Sequence, residues 1–108
     1  MDAYVKVDPI ADLHVAAYSG SQEEVQKLLD NGVPIDAEDM SGFTALFFAA
    51  RYQHVDITRF LLERGADVRH TDKKGRTALE FARWANATLN PEVVSLLEAA
   101  GTVQKPTR

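Results

Sequence analysis

The fold is decided by residues 42–68, which read GFTALFFAARYQHVDITRFLLERGADV. Leu46, Ala49 and Ala50 stand at the i, i+3 and i+4 spacing of one helix face. A second apolar stretch follows and ends at Gly65, where a helix commonly closes with a left-handed residue. The stretch therefore predicts two short helices joined by a tight turn.

The same pattern recurs 33 residues away in both directions. When the sequence is aligned with itself at this shift, small residues align with small residues and leucines align with leucines. Toward the C-terminus the matched positions are Gly75, Thr77, Ala78, Leu79 and Ala82. Toward the N-terminus they are Leu13, Ala16, Ala17, Leu28, Leu29, Gly32 and Asp39. Repetition at this period is typical of a stacked helical array.

Residues 42–68 resemble one complete repeat of the ankyrin family, and the flanking stretches resemble two more. The resemblance extends over roughly residues 8–101. It implies an all-α ankyrin-repeat solenoid, in which three helix–turn–helix repeats are joined by β-turn or hairpin loops. The middle repeat departs from the family at Ala45, Phe47 and Gln53, where proline, histidine and glycine are usual.

We expect a single domain over residues 1–101, followed by a flexible tail at 102–108. The repeats are placed at about residues 9–41, 42–74 and 75–101. Measured from the helix-starting threonine to the closing glycine, the third repeat spans 24 residues and the middle one 21. The three extra residues are expected at 83–89, where they lengthen either the helix or the loop after it.

Three kinds of local signal support this division. Thr44 and Thr77 stand just before an apolar helical pattern, as N-cap hydroxyls do. Gly101 is expected to end the last helix. Asp39 and Asp72 recur one repeat apart and are expected to form the turns between repeats.

The chain of 108 residues has a net charge of −4 that is unevenly spread. Residues 1–42 hold two basic and nine acidic residues, whereas residues 43–108 hold ten basic and seven acidic residues. The acidic N-terminal part argues against nucleic acid as the main partner. No signal peptide or membrane span is visible, and there is no cysteine. We expect a soluble, cytoplasmic protein that is a monomer when free.

Candidate catalytic and metal-binding residues lack the surroundings that such chemistry needs. His14 and His54 occupy positions where the resembled family has structural histidines. His70 is expected to be a solvated turn residue without a partner at metal spacing. Adjacent carboxylates such as Glu23 and Glu24 lie on a helix surface, whereas acid–base catalysis needs carboxylates in a desolvated cleft. We therefore predict no catalytic residue, metal site, cofactor or enzymatic activity.

In ankyrin repeats the partner generally lies against the turn tips and the exposed ends of the first helices. Carried onto this sequence, the protein-binding positions are Tyr18, Met40, Phe43, Arg51, Tyr52, Lys73, Lys74, Arg76 and Trp84. Tyrosine, tryptophan and arginine are enriched at interface hot spots, and Met40 and Phe43 are expected to expose apolar area on a loop. Two alternatives stay open. In the first alternative, Trp84 folds inward beneath the inserted segment. In the second, Phe47 lines the concave groove, although it is otherwise assigned to the core with Phe48 and Phe81.

These residues favour a protein-binding module that engages another protein through its concave face and turn tips. Because three repeats stand without a second domain, occlusion of a partner's active surface is the simplest mode of action. We hypothesise a small inhibitor of the toxin-neutralising or immunity type. The alternatives are a non-inhibitory adaptor or regulatory subunit, and an enzyme or small-ligand protein with a cleft near Trp84. For that cleft the sequence offers only Arg83 and Asn86 as polar groups.

Overall fold

The structure is a computed structural model that describes the backbone of residues 8–103 and the side chains of residues 8–102. Within that range, six helices pair into three helix–turn–helix units. The helices are α1 (Pro9–Ser19), α2 (Gln22–Asp30), α3 (Ala45–Arg51), α4 (Val55–Glu63), α5 (Ala78–Ala85) and α6 (Pro91–Val103). The described range contains no strand, so the predicted all-α repeat class is confirmed. The units are joined by turns rather than by strand-paired hairpins.

The helices form two layers around one apolar core. The first helices lie side by side, with α3 packed between α1 and α5, and the second helices repeat this order, with α4 between α2 and α6. Alanines of the first helices are fully buried, among them Ala17, Ala50 and Ala82. Their small side chains let neighbouring helices approach closely. Larger residues of the second layer, such as Leu61 and Leu97, fill the space between the layers.

Capping at the helix starts differs between the two matching threonines. The Thr77 hydroxyl accepts a hydrogen bond from the Glu80 N–H at 3.2 Å, and the Glu80 carboxylate accepts from the Thr77 N–H at 2.9 Å. This reciprocal pair is a capping box. Thr44 occupies the predicted N-cap position, but its buried hydroxyl has no hydrogen-bond partner in the described part of the chain, so the expected hydroxyl cap is absent. The Phe47 N–H donates to the Thr44 carbonyl at 3.0 Å.

The end of the last helix also differs from the expectation. Gly32 and Gly65 follow their helices with φ of 98° and 93°, as predicted for left-handed closures. Gly101 lies inside α6, which continues through Val103. A helix tolerates an internal glycine at a cost of about 1 kcal/mol. The predicted tail therefore does not begin at Thr102, and residues 1–7 and 104–108 lie outside the described part.

The turns between repeats are held by the two aspartates that recur one repeat apart. In each case Oδ1 accepts hydrogen bonds from the backbone N–H groups two and four residues later, at 2.9–3.0 Å. This pattern confirms Asp39 and Asp72 as turn-forming residues. We call residues 39–43 and 72–76 the turn tips.

Neighbouring turn tips touch through their backbones. The Lys73 N–H donates to the Ser41 carbonyl at 3.0 Å. A Cβ added to Gly42 would lie 3.0 Å from the Lys73 nitrogen, and the φ of Gly42 is 81°. Only glycine meets both demands without strain. The two tips are therefore fixed relative to each other.

All three histidines link backbone segments through Nε2, which must carry the proton because a carbonyl only accepts. The pairs are His14 with the Ala37 carbonyl (2.9 Å), His54 with Tyr18 (2.7 Å) and His70 with Gly42 (3.1 Å). The expectation of a solvated turn residue was wrong for His70, which is half-buried. Its Nε2 bond to the neighbouring tip explains that burial.

The insertion in the third repeat is divided between helix and loop. Helix α5 has eight residues against seven in α3, and the following loop, residues 86–90, is two residues longer than its counterpart at 52–54. The Asn86 amide donates to the Arg51 carbonyl at 3.0 Å. The Gln53 side chain accepts from the Asn90 N–H at 2.8 Å, and Gln53 itself has a φ of 61°. The residue that replaces the usual glycine thus anchors the inserted loop.

Candidate functional site

One face of the protein gathers its exposed apolar side chains. Five large hydrophobic residues are exposed in the described range, and all of them border two adjacent depressions between the turn tips and the first helices. They are Val15, Tyr18, Met40, Tyr52 and Trp84. Met40 is 92% exposed and Trp84 is 71% exposed, so neither contributes to the core. We call this face the groove.

The first depression lies between α1 and the first turn tip and has a volume of about 590 Å³. Its apolar lining includes Val15 and Tyr18. The carboxylates along it are those of Asp8, Glu38 and Asp39, and none of the lysines or arginines within residues 8–102 lines it. We call it the acidic depression. It concentrates negative potential beside apolar surface.

The second depression lies between the two turn tips, α3 and α5, and has a volume of about 560 Å³. It is lined by all of the predicted binding residues except Tyr18. Tyr18 lines the acidic depression, and its ring lies 5.4 Å from that of Tyr52. Four cationic side chains line the second depression, which we call the basic depression. They are Arg51, Lys73, Lys74 and Arg76. The structure therefore brings the predicted positions together on one surface.

The burial of the phenylalanines differs from the expectation. Phe43 was expected to be exposed but is half-buried, with its ring centroid 4.5 Å from that of Phe81. Phe47 is 1% exposed and does not line the groove. Phe48, assigned to the core, is half-buried and borders both depressions. Successive helical residues point about 100° apart, which turns Phe48 toward the groove and Phe47 into the core.

Trp84 stands outward at the end of the basic depression. Its ring stacks on Phe81 at a centroid distance of 5.9 Å and an interplanar angle of 26°. The alternative of an inward-folded Trp84 is wrong, because the inserted loop is tied to the Arg51 carbonyl through Asn86 and does not cover the indole.

Arg76 is positioned by a buried carboxylate and two rings. Its Nε donates to Asp72 Oδ2 at 2.8 Å, and its Cζ lies 4.9 Å from the ring centroids of both Phe81 and Trp84. Burial raises the pKa of Asp72, but hydrogen bonds from Arg76 and Lys74 outweigh that effect and hold the pKa below its ordinary value. Asp72 therefore stays ionised and keeps the guanidinium in place.

The polar groups proposed for a cleft at Trp84 are engaged elsewhere. Arg83 pairs with Glu98 at 3.3 Å, and the Asn86 amide donates to backbone carbonyls. Neither residue lines the basic depression. Over residues 8–103, no group of three or more histidine, cysteine or acidic side chains is placed to hold a metal ion. In the same range no helix has the length and apolar character needed to cross a membrane.

Sequence reasoning missed the acidic depression. Asp39 was predicted only as a turn residue, and no binding role was predicted for Asp8 or Glu38, yet the three meet along one surface with Val15. The available signal was Val15 itself, an apolar residue outside the buried Leu13–Ala16–Ala17 pattern.

The sequence-family model "Ankyrin repeats (3 copies)" matches residues 13–105 of this chain. Similar curated proteins include an ankyrin repeat-containing protein of Schizosaccharomyces pombe, 37% identical over 63% of this chain and 33% of that protein. Diacylglycerol kinase iota of Rattus norvegicus is 37% identical over 81% of this chain and 8% of its own length. The E3 ubiquitin-protein ligase XBAT33 of Arabidopsis thaliana is 42% identical over 65% of this chain and 14% of its own length.

The chain thus spans a third or less of the length of these relatives. Ankyrin repeats generally mediate protein–protein interaction and are generally non-enzymatic. The family match covers most of the described residues, and the same residues form three stacked helix–turn–helix units. This chain belongs to the ankyrin repeat family.

Proposed function

We propose that this chain is a protein-binding module that engages another protein through the groove and the turn tips. The observation that carries the proposal is the placement of the exposed large hydrophobic residues, all of which border the groove within the described range. Continuous exposed apolar surface on a folded domain marks a contact site. The repeat fold does not require aromatic residues at these positions, because their side chains lie outside the core.

Tyr18, Tyr52 and Trp84 are the proposed anchors. The rings of Tyr18 and Tyr52 lie 5.4 Å apart, and the Arg51 guanidinium lies 4.6 Å from the Tyr52 ring centroid. Aromatic side chains supply large contact areas at a low conformational-entropy cost, since they have only two rotatable side-chain bonds. Such anchors commonly lose about 2 kcal/mol or more of binding free energy on truncation to alanine.

The mode of action that we propose is occlusion, as in a small inhibitor of the toxin-neutralising or immunity type. A partner surface seated in the groove is shielded from its own substrate. The similarity to parts of much longer proteins, some named as a kinase or a ubiquitin ligase, favours the alternative of an adaptor or regulatory subunit. Adding the purified chain to its captured partner distinguishes these two modes of action. An inhibitor lowers the partner's activity, whereas a non-inhibitory adaptor or regulatory subunit does not.

Affinity capture followed by mass spectrometry tests the binding proposal. The wild type is compared with the double variant Tyr52→Ala, Trp84→Ala and with Lys27→Ala, an exposed change on α2 away from the groove. We expect one dominant protein captured by the wild type and by the Lys27 variant, and lost with the double variant. Circular dichroism should show the same helical content in all three. Equal capture by all three variants would overturn the proposal.

A further inference from the structure

We propose that the partner segment that occupies the groove is charge-split, with carboxylates at one end, lysine or arginine at the other and apolar side chains between them. The inference rests on the proposed function and adds the chemistry and orientation of the segment. Its carboxylates lie over the basic depression, and its cations lie over the acidic depression. Its apolar centre lies over Met40 and Phe48, which border both depressions.

Among the described residues, no lysine or arginine lines the acidic depression, and the imidazole Nε2 of His70 lies 3.7 Å from Glu38 Oε2. Its carboxylates are those of Asp8, Glu38 and Asp39. The Glu38 side chain is 49% exposed, so its carboxylate is open to a ligand as well as to solvent. Opposite charges across an interface select the orientation of the partner and raise the association rate.

The basic depression has four cations and one carboxylate, that of Asp72. Asp72 is buried and already paired with Nε of Arg76, so it does not offset the exposed cations Lys73 and Lys74. The described residues give the two Nη atoms of Arg76 no hydrogen-bond partner. A guanidinium that is already held in place presents its remaining N–H groups in the planar fork that matches a carboxylate.

The distance between the two ends fits a short linear segment. Helices that pack side by side lie about 8–10 Å apart, so α1 and α5, with α3 between them, are about 16–20 Å apart. An extended chain advances about 3.3 Å per residue. A segment of about six residues therefore reaches from one depression to the other.

A second copy of this chain is a less suitable occupant. A charge-split surface is formally complementary to itself about a two-fold axis. However, two such grooves would bring depressions of about 590 and 560 Å³ face to face. Empty volume at an interface forfeits packing contacts. A protruding segment fills the same space, and its charge pattern is directly testable.

The probe is a phage-displayed library of random ten-residue peptides. It is selected against the wild type, Trp84→Ala, and the charge reversal Lys73→Glu with Lys74→Glu. Tryptophan-free peptides from the wild-type selection are then titrated in solution, where Trp84, the single tryptophan of the chain, reports binding by fluorescence. We expect charge-split sequences from the wild type and loss of the acidic end with the reversal variant. The single reversal Lys74→Glu should weaken binding of a selected peptide about twofold to fivefold, and the matched reversal Lys27→Glu on α2 should change that affinity by less than twofold.

The other outcomes contradict the inference in distinguishable ways. Peptides that depend on Trp84 but carry no charge bias would overturn it and leave the proposed function standing. A complete lack of peptides that depend on Trp84 would overturn both. The third outcome is a wild-type dimer in sedimentation velocity that the Trp84→Ala change dissociates. In that case a second copy of the chain, and not a partner segment, would occupy the groove.

Discussion

The second turn tip depends on Asp72, and we predict that Asp72→Asn destabilises the protein more than the same change at Asp39. The two aspartates hold equivalent turns, and each Oδ1 accepts two backbone N–H groups. Asp72 Oδ2 also accepts from Nε of Arg76 at 2.8 Å. The residue equivalent to Arg76 in the first tip is Phe43. Asp39→Asn is therefore a control with the same backbone hydrogen bonds, at an aspartate that lacks the arginine contact and is less buried than Asp72.

The magnitude follows from the burial of the pair. The Asp72 side chain is 1% exposed and that of Arg76 is 23% exposed. Asparagine keeps an oxygen for the backbone N–H groups, but its amide nitrogen cannot accept from Nε of Arg76. A hydrogen bond to a charged group contributes about 1.5–3 kcal/mol. Because water partly solvates Arg76, we expect the low end, a loss of about 1.5 kcal/mol beyond the loss at Asp39.

Urea unfolding followed by far-ultraviolet circular dichroism at pH 7 measures this difference. With a urea dependence of about 1–3 kcal/mol per molar for a domain of this size, the Asp72→Asn midpoint should lie about 0.5–1.5 M below that of Asp39→Asn. Adding Arg76→Ala to Asp72→Asn completes a double-mutant cycle. The second change should cost less in the asparagine background than in the wild type.

The pH dependence has a definite sign. The pKa of Asp72 in the folded state is lowered from the ordinary value of 3.8. Its carboxylate therefore contributes stability that is fully present above about pH 4 and is lost as the pH falls through the folded-state pKa. The difference between wild type and Asp72→Asn should shrink below pH 4. Equal destabilisation by Asp72→Asn and Asp39→Asn, with no pH dependence between pH 3 and 7, would refute the reasoning.

Four further single-residue variants, in two matched pairs, are measured by the same unfolding experiment. Gln53→Ala should lower the free energy of unfolding by about 1 kcal/mol, because it keeps the φ of 61° and loses the hydrogen bond to the Asn90 N–H. Gln53→Gly should be near neutral, because relief of the left-handed conformation, about 1 kcal/mol, offsets that loss. Thr44→Val should raise the free energy of unfolding by up to about 1 kcal/mol, because it removes a buried hydroxyl without a partner in the described range. Thr77→Val should lower it by about 1 kcal/mol through loss of the capping box.

Within each pair, one variant is the control for the other. Equal losses for Gln53→Ala and Gln53→Gly would mean that the left-handed conformation carries no cost there. Destabilisation by Thr44→Val equal to that by Thr77→Val would mean that the Thr44 hydroxyl has a partner after all.

The two threonines also mark the limit of prediction from local sequence. Both precede the same apolar pattern, but only Thr77 has Glu80 three residues later to complete the cap. Thr44 has Phe47 there, and its hydroxyl is buried without a hydrogen-bond partner in the described range. Helix existence was predictable because it depends on residues within one or two turns. Burial of the Thr44 hydroxyl, in contrast, depends on residues distant in sequence that pack against it.

For the groove, the amino-acid sequence by itself determined the row of candidate binding residues. Once three repeats are in register, positions one repeat apart must lie side by side, so Tyr18, Arg51 and Trp84 could be aligned from their 33-residue spacing alone. Only the tertiary structure decided that Asp8 and Glu38 meet in one acidic depression. Asp8 caps the start of α1 and Glu38 lies beside the first turn tip, so their proximity arises from the packing of that tip against α1. Spacing along the chain determines which side chains share a helix face, whereas packing between helices determines which faces, and hence which charges, come together.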